Sequence, residues 1–101
     1  MKVATTTDVR RSDHPEVGTI GPGALEVKHK ERIALAIAVS SECDGCIASH
    51  SRAAAKAGAT TSEAAEALGV TILMGGGPAT IWAPRAYAAF CEFVDDSHST
   101  P

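Results

Sequence analysis

The chain has 101 residues and a formal net charge of −3, and its composition is 45% apolar with only 4% aromatic. That length makes one domain with a modest core, filled mainly by Ala, Val, Ile and Leu, so helices can approach closely and an all-α bundle is expected. The nine Lys and Arg are scattered and form no basic stripe, which excludes nucleic acid as a partner, and no apolar run is long enough to span a membrane.

Residues 1–22 are rich in Thr, Arg, Gly and Pro and show no periodicity, so an extended or mobile arm is expected there. The segment also lacks the apolar run of a secretory signal, which points to a cytoplasmic setting. In that reducing compartment three cysteines, two of them in C-x-x-C, argue for redox or metal chemistry and against a disulfide framework.

From Ala24 to Ser40 the chain turns from polar to nearly continuous apolar without Gly or Pro, which predicts a first helix. Ser41 followed by Asp44 has the form of a capping box and predicts a second helix reaching Lys56 or Ala57, ended by Gly58. Thr60 with Glu63 repeats the device before a third helix, whose Ala64, Ala67, Leu68, Thr71 and Ile72 make an apolar stripe. The segment Gly75 to Pro78 breaks the chain. No Lys-Ser/Thr follows it and no strand precedes it, so it reads as a turn and not a phosphate loop. Pro78 is placed to open a fourth helix through Val94, with a kink where Pro84 lacks an N–H for Thr80, and residues 95–101 form a polar, frayed tail.

The reactive residues gather on the second helix. At about 100° per residue, Cys43, Cys46 and His50 fall on one narrow face, and an i, i+3 pair with Cα atoms roughly 5 Å apart can close a disulfide without unfolding the turn. The first helical turn favours a thiolate, and His50, one turn beyond Cys46, can exchange its proton. Two other readings stand beside this one. Cys43, Cys46 and His50 could hold zinc if Cys91, another His or a carboxylate joined them, or the cysteines could be inert buried hydrophobes, which is the reading for Cys91 on its apolar helix. Glu31 taken alone is a surface residue able to pair with Lys28 or Lys30.

Glu31, followed twelve residues later by Cys43-x-x-Cys46-x-x-x-His50 and then by the Gly-Gly-Gly-Pro segment, resembles the alkylhydroperoxidase-D-like (AhpD-like) branch of the carboxymuconolactone decarboxylase family over about residues 23–94. The resemblance implies an all-α AhpD-like helical bundle, one helical repeat per chain, assembled as a trimer or a hexamer. It implies no cofactor and no metal. It further implies a hydroperoxide substrate and an external dithiol donor, a lipoyl group or a thioredoxin-like protein. Cys46 would take the oxidation, Cys43 would act as proton donor and then resolve it to the disulfide, and Glu31 with His50 would relay protons. Gly45 stands where some members carry a side chain between the cysteines. Muconolactone decarboxylation is disfavoured, because that branch does not depend on C-x-x-C. The remaining alternatives are a disulfide reductase and a non-enzymatic redox-sensing or metal-binding module.

The third and fourth helices are apolar on more than one face, more than about 75 ordered residues can bury, so a homo-oligomer is expected, with Trp82 or Ile81 in an exposed patch and the C-x-x-C helix near a subunit interface.

Overall fold

The computed structural model describes residues 18–99. After a single 3-10 turn at Gly18–Ile20, four helices follow: α1 (Val27–Ser40), α2 (Asp44–Lys56), α3 (Thr61–Gly75) and α4 (Ala79–Ser99). Among the described residues there is no strand, and the all-α class expected from composition holds. The expected N-terminal arm lies outside the described residues as far as residue 17. Beyond it, the 3-10 turn is tied to α1 by Lys30, whose ammonium donates to the carbonyls of Thr19 at 2.9 Å and Gly21 at 2.6 Å.

The helix ends follow local chemistry with one exception. α1 starts at Val27, three residues later than expected, because Glu26 is its N-cap and the segment before it is turned back towards Lys30. α3 opens with the expected reciprocal box. The Thr60 hydroxyl accepts from the Glu63 N–H at 3.0 Å, and the Glu63 carboxylate accepts from the Thr60 N–H at 2.9 Å. The same carboxylate reaches Arg32 at 2.8 Å and Lys28 at 3.3 Å, which aligns the starts of α1 and α3. The Thr60 N–H first, then Arg32 and Lys28, hold Glu63 down at a pKa of about 2. α4 starts at Ala79, with the Pro78 carbonyl accepting the first helical bond from Trp82 N–H, and it runs through Pro84 and past the expected end at Val94 to Ser99.

The exception is the start of α2. Ser41 does not cap it, because α1 closes first: the Ser41 N–H donates to Ile37, Glu42 to Val39 and Cys43 to Ala38. That is a Schellman ending with Glu42 in the left-handed position, φ 52°. Cys43 is then the N-cap of α2, and its Sγ accepts from the Cys46 N–H at 3.2 Å. The expected Ser41–Asp44 box is replaced by a sulfur cap, and Cys43 stands just before the helix, not on its face.

α1 and α4 are each flanked by α2 and α3. One core cluster centres on Leu35, Val39, Ile47 and Leu68 under Trp82, and a second on Phe90 among Ala54, Ala59 and Ala64. Alanine at so many contacts lets the helices approach closely, and one large ring, Phe90, fully buried, fills the remaining space. Outside the core, Ile37 at 59%, Val70 at 55%, Leu73 at 81%, Met74 at 80% and Ile81 at 70% remain exposed. Trp82 is half-buried against the core, so Ile81 is the exposed member of that pair.

Candidate functional site

The α1–α2 turn and the helices beside it bring together the four residues singled out in the sequence. Cys43 and Cys46 form a disulfide, with Cα atoms 5.2 Å apart. Cys43 is half-buried at the cap and Cys46 is exposed in the first turn. His50 lies one turn further along α2, on the side where Cys46 projects. Across from it, in the second turn of α1, Glu31 is buried and its Oε2 lies 2.8 Å from His50 Nδ1.

The packing of α1 on α2 makes that pairing and answers the ambiguity at Glu31. Lys28 is taken by Glu63 and Lys30 by backbone carbonyls, so neither surface partner engages Glu31. A buried carboxylate needs a hydrogen-bonding partner, and His50 supplies it. A carboxylate oxygen accepts, so the bond to Glu31 is donated by His50 Nδ1–H, and in the neutral imidazole that tautomer has Nε2 as its acceptor nitrogen. The side chain of His50 remains about one-third exposed, so the ring is reachable from solvent.

Sequence reasoning missed Arg85. Its Nε and Nη2 donate to the two carboxylate oxygens of Asp44 at 2.8 and 2.9 Å, and its guanidinium lies 5.3 Å from the centre of the Trp82 ring. Asp44, the residue after Cys43, is thereby fastened from α4, and the carboxylate raises the pKa of Arg85 by hydrogen bonding and then by charge. Nothing local marks a pair 41 residues apart. Cys91, read as a core residue, is half-buried, and its side chain beside Tyr87 pushes the Tyr87 phenol up.

Among the described residues no group of three His, Cys, Asp or Glu side chains is placed to hold a metal ion. An apolar groove of about 250 Å³ between α3 and α4, lined by Leu68, Ile72, Pro84 and Tyr87 among others, includes none of the four site residues. Among the described residues no helix is long and apolar enough to cross a membrane.

The model of the carboxymuconolactone decarboxylase family matches residues 13–94. An uncharacterized protein of Cupriavidus necator is 43% identical over 68 residues, 67% of this chain and 60% of that protein. Uncharacterized protein 4 in the cox locus of Paracoccus denitrificans is 37% identical over 70 residues, 69% of this chain and 63% of its own length. The chain thus spans about three-fifths of the length of these two relatives. A crystal structure of a carboxymuconolactone decarboxylase family protein from Legionella pneumophila, in its apo form, superposes with a TM-score of 0.72 at 47% identity, covering 74% of this chain and 67% of the other.

Proposed function

The chain belongs to the carboxymuconolactone decarboxylase family, and we propose that within it the chain is a thiol-dependent peroxidase of the alkylhydroperoxidase-D-like kind, cycling Cys43 and Cys46 between dithiol and disulfide. The observation that carries this reading is the hydrogen bond between buried Glu31 and half-buried His50, placed one helical turn from an exposed cysteine that has a second cysteine within bonding reach.

In the reduced protein the Cys46 thiolate attacks the hydroperoxide. The S–O bond forms as the O–O bond breaks, and the departing alkoxide takes a proton and leaves as an alcohol. His50, holding Nδ1–H on Glu31, takes the Cys46 thiol proton at Nε2 and returns it to that alkoxide. Cys43 then attacks the sulfenic sulfur; the S–S bond forms, and hydroxide leaves and is protonated to water. Cys43 caps α2 with its sulfur on the Cys46 N–H, which keeps it within bonding reach of Cys46 for the resolving step. An external dithiol, a lipoyl group or a thioredoxin-like protein, returns the two electrons by exchange with the disulfide. A cytoplasmic location, where such donors work, belongs to the same proposal.

The sulfur cap favours one second reading, a disulfide reductase in which Cys43 attacks a substrate disulfide directly. Peroxide consumption and insulin reduction, each driven by a dithiol donor, separate the two. Loss of peroxide dependent on both cysteines is expected; a protein that reduces insulin but leaves peroxide untouched sinks the peroxidase.

The apolar residues left on α1, α3 and α4 support a homo-oligomer, a trimer or a hexamer, as the working form. Light scattering behind size exclusion tests this directly, and a stable folded species at 10.3 kDa overturns it.

A further inference from the structure

The C-x-x-C turn carries a carboxylate between its two cysteines, and the structure shows what holds it. Asp44 is bound bidentately by Arg85 of α4, and Arg85 is in turn backed by the ring of Trp82, which packs on the core. Gly45, the other residue between the cysteines, has no side chain and open space around it, so it fastens nothing. The one side chain between the two cysteines is therefore tied to α4, by a residue 41 positions further along the chain.

We propose that Arg85 is a positioning residue for the redox pair: it neutralises the Asp44 carboxylate and anchors it to α4, so that thiolates can form beside Asp44 near neutral pH. The argument is one of charge. A carboxylate on a residue between the two cysteines opposes a second negative charge on the sulfurs, and the guanidinium in contact with it offsets that field. The other ionisable groups about the turn are Glu42 before it, His50 on α2 and Glu31 on α1, and Glu31 and His50 already engage each other. Arg85 is the cation that α4 places on Asp44. The pair is more than half exposed, so its effect is moderate and screened by salt.

The inference rests on the thiol-redox reading of the site but not on its oxidant, and its test uses no peroxide. The rate of iodoacetamide alkylation of the reduced full chain is followed against pH, with peptide mass spectrometry reading Cys43 and Cys46 separately. Arg85→Ala should move the alkylation midpoint up by about half a pH unit, Asp44→Asn should move it down by a similar amount, and the double variant should return close to the parent. Arg85→Lys should restore much of the shift, and added salt should shrink all of them. If Arg85→Ala and Asp44→Asn move the midpoint in the same direction, the pair is only a structural tie and the charge role is wrong. If neither moves it, the proposal fails outright. Should the parent consume no peroxide, the peroxidase reading falls while these shifts still stand or fail by themselves.

Discussion

The α1–α2 and α2–α3 turns are built on one plan with different residues. Each closes the preceding helix with a Schellman ending: Glu42 and Cys43 donate back to Val39 and Ala38, and Gly58 and Ala59 to Ala55 and Ala54. Each then opens the next helix with a side-chain cap. In the second turn every position carries the residue its geometry prefers, Gly58 at φ 93° and Thr60 with Glu63 in a reciprocal box. In the first turn a glutamate occupies the left-handed position and a cysteine the cap. The second turn is built for stability. The first accepts a strained residue and a weaker cap, and it is the one that carries the reactive sulfurs.

Exchanging the caps tests that contrast most severely. Cys46→Ser should abolish peroxide consumption, and Cys43→Ser should stop turnover after a single sulfenic acid on Cys46, detected by dimedone labelling and mass spectrometry. Because a serine hydroxyl caps at least as well as a thiol, Cys43→Ser should cost the reduced protein almost no stability in urea unfolding. A label on Cys43 in the Cys46→Ser protein, with none on Cys46 in the Cys43→Ser protein, would reverse the roles.

Glu31→Gln comes next. It keeps the shape of the pair and removes the charge that orients His50, and turnover should fall by about ten- to a hundredfold with a changed pH–rate profile. An unaltered profile removes Glu31 from the proton path.

In the second turn, Gly58→Ala should destabilise by about 1–2 kcal/mol and Thr60→Ala by about 1 kcal/mol, read by chemical denaturation. In the first turn the sign should invert. Glu42→Gly relieves a positive φ and should stabilise by about 0.5–1 kcal/mol, the gain reduced by the looser unfolded chain. A stabilised Glu42→Gly protein with slower turnover would tie the strain to function, whereas unchanged turnover would make Glu42 merely tolerated.

The smallest effect is in acid. The folded Glu63 pKa, about 2 against an ordinary 4.5, lies below the unfolded value, so its contribution is complete above about 4.5 and fades as pH falls through about 2. Thermal melts of the parent and Glu63→Gln should therefore converge on acidification through that window, and parallel curves would show that the box and its ion pairs add nothing that titrates.

The sequence alone was enough for the helical class, the turn at Gly58, the Thr60–Glu63 box and the spacing from Glu31 through Cys43 and Cys46 to His50. All of these depend on periodicity, left-handed glycine or contacts within a turn, where neighbours along the chain are also neighbours in space. The start of α2 was not legible in the same way. Ser41–Asp44 and Thr60–Glu63 have the same local signature, and only the Schellman closure of α1 claimed Ser41 for the helix before it and left Cys43 as the cap. The burial of Glu31 and its bond to His50 span 19 residues, and the hold of Arg85 on Asp44 spans 41. Packing of α1 and α4 against α2 decided both: it takes Glu31 out of water and offers it His50 as partner, and it brings Arg85 onto an Asp44 that stays exposed.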